Sequence, residues 1–217
     1  PAVTSTQVFV ETSLESLSFK GGKYKNQNGS GLMQKTGAVT NQFELGTDIA
    51  GVDVSVGQTS GDGNATADFS ATLAGVALSV QNATNSDRYI TASADVAGMG
   101  VNVEHQKTST GTNTGGSVST TLAGMTVTGV VIDVEDTAGV TQDDGILGDV
   151  SDAANGKTVK GVVASTDTTV GTVTGKFIDK NDLNTYVAEL ERGVWTFGHS
   201  KTENADGVTT AEINVSF

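Results

Sequence analysis

A chain of 217 residues with 12 Lys and Arg against 25 Asp and Glu has a formal charge of -13, and it contains no cysteine and a single proline. Without cysteine there is no disulfide framework, thiolate metal site or thiol nucleophile. The acidic balance argues against nucleic acid as a partner, because that affinity comes from Lys and Arg neutralising phosphates. No apolar run approaches the roughly 18 residues of a transmembrane helix, and the near absence of proline suits backbone that must donate hydrogen bonds throughout.

In chain order, the first predicted hairpin runs through Val8, Val10, Thr12 and Leu14, turns at Glu15-Ser16 and returns through Leu17 and Phe19. The next four share one motif. Phe43, Leu45, Thr47 and Ile49 lead through Ala50-Gly51 to Val52, Val54 and Val56; Ala67, Phe69, Ala71 and Leu73 lead through Ala74-Gly75 to Val76, Leu78 and Val80. Ile90, Ala92, Ala94 and Val96 lead through Ala97-Gly98 to Met99, Val101 and Val103; Val118, Thr120 and Leu122 lead through Ala123-Gly124 to Met125 and Val127. Strict alternation marks a two-faced strand. The phase flips across each Ala-Gly pair because residues flanking a two-residue loop are cross-strand partners on the same face.

Beyond residue 157 the pattern is fainter. Val159, Gly161 and Val163 lead to a turn near Asp167, then Val173, Gly175 and Phe177; Tyr186, Ala188 and Leu190 lead through 191–194 to Trp195 and Phe197. Thr209, Ala211, Ile213, Val215 and Phe217 form the last strand, for a count of fifteen strands. Polar linkers at 26–39, 59–64, 82–87, 108–116 and 135–157 read as loops, so every tight turn is expected at one end of the strands and every long loop at the other.

A meander this long removes its edges by closing into a barrel. At about 14–18 strands such a barrel is too wide for side chains to fill, so a polar lining holds water and the apolar face meets lipid. The expectation is a single all-β domain over 1–217, an up-and-down antiparallel transmembrane β-barrel. An odd count of strands conflicts with the even number of bacterial single-chain barrels, so at least one strand is expected before Pro1, giving about sixteen or eighteen.

The short turns, long polar loops, residues 7–25 (QVFVETSLESLSFKGGKYK), 47–57 and the aromatic terminus at 212–217 together resemble bacterial outer-membrane general diffusion porins of α-proteobacterial type. The resemblance implies a passive water-filled channel in the outer membrane of Gram-negative bacteria, passing small hydrophilic solutes and ions. It also implies a homotrimer embedded in the lipid bilayer, with one loop folded inward to constrict the pore. The loop at 26–39 has Lys35 and no acid, whereas 135–157 holds Glu135, Asp136, Asp143, Asp144, Asp149 and Asp152. The latter is the better acidic candidate for the constriction; it reads otherwise as a plain solvated loop, or as one that binds Ca²⁺ through carboxylate oxygens, and no other cofactor is expected.

The strand phase assigns Glu11, Glu44, Asp48, Asp53, Asp68, Asp95, Glu104, Glu189 and Glu212 to the lumen with Lys20, Lys160 and Lys176, an excess of acid that biases passage toward cations. Enzymatic chemistry is not expected: adjacent residues His199 and Ser200 point to opposite strand faces and cannot form a base and nucleophile pair. His105 ends its strand with Glu104 on the other face. A second class also fits the Thr, Gly, Val and Asn enrichment, namely a secreted structural, surface-layer or filament protein at the cell surface.

Overall fold

In a computed structural model, described here for residues 7–28, 35–59, 65–83, 87–136, 146–147 and 155–213, the chain forms one sheet of fifteen antiparallel strands paired strictly in sequence order. These are β1 (Val8–Leu14), β2 (Leu17–Asn28), β3 (Lys35–Ile49), β4 (Val52–Thr59), β5 (Ala65–Leu73), β6 (Val76–Ala83), β7 (Arg88–Val96) and β8 (Met99–Lys107). There follow β9 (Thr112–Leu122), β10 (Met125–Val134), β11 (Lys157–Thr168), β12 (Gly171–Lys180), β13 (Leu183–Arg192), β14 (Trp195–Thr202) and β15 (Val208–Ile213). No helix occurs among the described residues, nor does any ladder there join β1 to β15.

The hairpins form where the sequence places them, and the backbone explains why. At the four Ala-Gly turns the alanines have φ between 50° and 55° and the glycines between 77° and 82°. Two successive positive φ values make a type I′ turn, whose twist matches that of the strands it joins. A left-handed alanine costs about 1–2 kcal/mol, while the glycine beside it meets no such penalty. Asp48 and Asp95 offset part of that cost, each accepting a hydrogen bond at its Oδ1 from the turn glycine, Gly51 N at 3.2 Å and Gly98 N at 3.1 Å. At Glu15-Ser16 only the first residue is left-handed, φ 55°, as in a type II′ turn. Across the turns Leu14 pairs Leu17, Ile49 pairs Val52, Leu73 pairs Val76, Val96 pairs Met99 and Leu122 pairs Met125.

Three expectations about connections change. The strands around the first loop are longer than the polar composition suggests: pairing continues past a register shift to Gln27 with Thr36 and Asn28 with Lys35. The loop expected at 108–116 shrinks to 108–111, because Gly115 and Gly116 pair within β9. And the two ends of the sheet are not cleanly divided into tight and long connections. β12 and β13 are joined at the long-loop end by Asn181-Asp182, with φ 56° and 63°, a type I′ turn that Asn and Asp tolerate.

Burial is inverted relative to a water-soluble sheet. Large apolar side chains are exposed along one face, with Leu14 76%, Leu73 60% and Trp195 45% accessible. Glu104, Gln106, Asn113 and Asp136 are buried. An extended exposed apolar surface and buried polar groups are the two departures from soluble packing that carry information. Among the described residues, the buried apolar cluster of Val130, Ile132, Val134, Leu147, Val159 and Ile178 sits on the face that carries the carboxylates.

Candidate functional site

Cross-strand register sorts the charged residues. Pairs such as Phe19 with Leu45, Leu45 with Val56, Val54 with Phe69 and Phe69 with Val80 hold the apolar face. The opposite face is built by rows such as Asp53, Ser70, Ser79, Thr91, Glu104, Gly115, Ile132 and Val159, each paired with the next across one ladder. Glu11, Lys20, Glu44, Asp48, Asp53, Asp68, Asp95, Glu104, Lys176, Glu189 and Glu212 all fall on this polar face.

Lys160 does not. It pairs with Val131 and Asp179 on the apolar face, beside Val162, while Val159, Gly161 and Val163 take the polar face. The phase of β11 is thus the reverse of the one expected from its valines. The reason lies in packing: Val159 is fully buried against Ile132 and Val134, so this part of the polar face is an apolar seat.

Leu147, from the connection between β10 and β11, occupies that seat and is 3% exposed. A Cβ at Gly161 would lie 2.5 Å from Leu147 Cδ2, so the glycine is the floor on which the leucine rests. Its neighbour Ile146 lines a groove on the same face with Asp95, Asn102, Ser117, Ser119 and Thr128. At the root of this connection Asp136 accepts hydrogen bonds from the Thr108 and Thr110 hydroxyls, and its N–H donates to Asn113 Oδ1 at 3.3 Å. Asn113 Nδ2 donates to Gln106 Oε1 at 3.0 Å, and Gln106 Nε2 donates to the Tyr89 hydroxyl at 3.3 Å. These bonds give the buried polar groups partners, without which each costs about 1–3 kcal/mol. Asp143, Asp144, Asp149 and Asp152 lie outside the described residues, as do Val215 and Phe217.

Two lysines in the wall of the polar face lie beside carboxylates. Lys20 Nζ is 3.8 Å from Glu11 Oε2 and sits 4.6 Å from the Phe9 ring centre and 4.9 Å from that of Tyr24. Lys176 Nζ is 3.3 Å from Glu189 Oε2. Glu44, Asp48, Asp53 and Asp68 line a groove of about 390 Å³ with the hydroxyls of Ser16, Ser18, Ser55, Ser70 and Ser79. Lys157, beside Asp182, and Lys180 share this face, and the acids on it outnumber these lysines and set its sign. Among the described residues no three of His, Asp and Glu are grouped to hold a metal ion. His105 and His199 lie on the apolar face, each Nδ1 2.9 Å from a threonine hydroxyl, Thr114 and Thr209. Ser200 is on the face opposite His199.

Sequence reading missed the Leu147 seat and the Phe9, Tyr24 and Lys20 cluster. A signal for the seat was present: Ile146-Leu147 is an apolar pair inside an acidic stretch, and Val130-Val131-Ile132 is a run apolar on both faces, the mark of a strand covered on two sides. Set against protein-family models and curated proteins, the chain matches none.

Proposed function

We propose that this chain is an outer-membrane porin: a transmembrane β-barrel enclosing a passive, water-filled channel for small hydrophilic solutes and ions, with a preference for cations. The observation that carries the reading is the inverted burial of the fifteen-stranded meander, with large apolar side chains exposed along one face and the carboxylates gathered on the other. In water such a face would aggregate; in lipid it is the stabilising surface. The wall's antiparallel strands, 6 to 15 residues long, suit a bilayer that a tilted strand crosses in about 9–11 residues.

In this reading the polar face lines the lumen, and its excess of acids over lysines draws cations into it. The connection between β10 and β11 folds inward at Ile146 and Leu147 and narrows the channel there. The chain acts without a catalytic residue or resident cofactor, and assembles as a homotrimer in the outer membrane. Planar-bilayer recording tests it: purified protein gives ohmic steps with a reversal potential favouring cations across a salt gradient. Anion selectivity would overturn the lining assignment. Folded protein that conducts nothing, or that leaves cells with chelator instead of detergent, would overturn the porin reading in favour of a surface-layer role.

A further inference from the structure

The apolar face carries a pattern of charge that passive conduction does not use. Along each strand, places are counted from its tight-turn end, with β15 placed through its register with β14. At the first, third and fifth apolar-face places, only Arg192 and His199 are ionisable. At the seventh and ninth places cations appear together: Lys23 and Lys201 at the seventh, Arg88, Lys107 and Lys160 at the ninth, against the carboxylates Asp133 and Asp179. In a chain of charge -13, this rim is a local reversal of sign.

None of these five cations has a carboxylate within ion-pairing distance among the described residues. Arg88 and Lys107 are direct cross-strand partners, an arrangement of like charges that is unfavourable unless something anionic lies over it. Arg88 Nε donates to Asn82 Oδ1 at 2.8 Å, which orients the guanidinium along the face without neutralising it. Six to eight residue steps at about 3.4 Å each, tilted by about 40°, put these cations roughly 16–21 Å above the turns. That is just inside the upper edge of an apolar band about 25 Å tall, from which long Lys and Arg side chains reach the headgroups.

We propose that this rim binds the anionic, phosphate-bearing headgroups of the lipid leaflet at the long-loop end, through Arg88, Lys107 and Lys160, with Lys23 and Lys201 extending it. The inference rests on the membrane-spanning reading and adds to it a lipid class and a side. Guanidinium and ammonium groups at the edge of an apolar surface suit this ligand, whose acyl chains cover the apolar places while its phosphate meets the cation.

The test uses the full chain reconstituted in phosphatidylcholine vesicles with and without phosphatidylglycerol, read by the fraction of each spin-labelled lipid immobilised at the protein. The wild type is expected to prefer phosphatidylglycerol by about fivefold at a lipid position facing one of these cations, and the preference should fall with salt. R88Q/K107Q/K160Q should lower it severalfold, to what Lys23 and Lys201 retain, whereas K107R/K160R should keep it, separating loss of charge from loss of fold. Immobilised lipid with no headgroup preference in the wild type would overturn the proposal alone. No immobilised lipid of either kind would overturn the membrane reading and the proposal with it. Displacement by inorganic phosphate beyond that by chloride of equal ionic strength would assign the rim to free phosphate. Loss of oligomer in the triple variant with the lipid preference intact would assign it to contact between copies; either result overturns the proposal.

Discussion

Leu147→Ala isolates the contact by which the connection between β10 and β11 is held to the polar face. The leucine is 3% exposed, among Val130, Ile132, Val134, Val159 and Ile178, with Gly161 beneath it. Truncation removes three carbons from that seat, a loss of about 2–3 kcal/mol at about 0.8 kcal/mol per buried methylene. The seated state should then weaken by about 30- to 150-fold, since each 1.4 kcal/mol is a factor of ten. Hydrogen exchange at Ile146 and Leu147 should quicken by that factor while exchange in β9 and β10 stays slow, because the ladders are untouched. Gly161→Ala approaches the same contact from the strand side: its methyl would stand 2.5 Å from Leu147 Cδ2 and 2.9 Å from the Phe177 carbonyl, and it should produce the same local quickening. In a bilayer both variants should raise single-channel conductance. Unchanged exchange at 146–147 in both variants would refute the seat; quickened exchange with unchanged conductance would refute its placement in the conducting path.

Lysine at Leu73, Val76, Val101 or Val127 should cost about 2–4 kcal/mol each, measured by urea titration of folding into lipid vesicles, whereas lysine at Ser70, Ser79 or Asn102 should fold normally and shift the reversal potential toward anions; equal cost at both sets would mean that neither face meets lipid. Ala74→Asn and Ala97→Asn should stabilise the hairpins by about 0.5–1 kcal/mol each, since Asn tolerates the left-handed conformation that these alanines hold at φ 50° and 54°, as read by the same titration. Lys20→Gln and Lys176→Gln, by releasing Glu11 and Glu189 from their partners, should increase cation selectivity in a salt gradient, and a decrease would count against the assignment of the lumen face.

The hairpin architecture is legible in the sequence because its causes are local. Alternation sorts the residues of a strand onto two faces without reference to any other strand, and an Ala-Gly pair between flipped phases implies a two-residue turn wherever it occurs. The pairing of Ile49 with Val52 and of Leu122 with Met125 therefore follows from the order of residues alone. The loop boundaries are less legible: Gly115, Gly116 and the polar residues at 26–28 and 35–39 look like loop by composition, but a ladder needs only their backbone groups, which any residue except proline supplies. The turn at Asn181-Asp182 is obscure for a similar reason, since turn chemistry alone does not say at which end of the sheet it falls. The phase of β11 is decided only in three dimensions. Lys157 to Ala164 reads KTVKGVVA, in which valines occupy both phases, so alternation has no unique solution. The choice is made by Ile132 of β10, Ile178 of β12 and Leu147 of the intervening connection, which together bury Val159 and turn Lys160 to the other face. These residues are distant in sequence and meet only when the sheet is assembled, and the stabilisation from burying them together has no counterpart in any one segment.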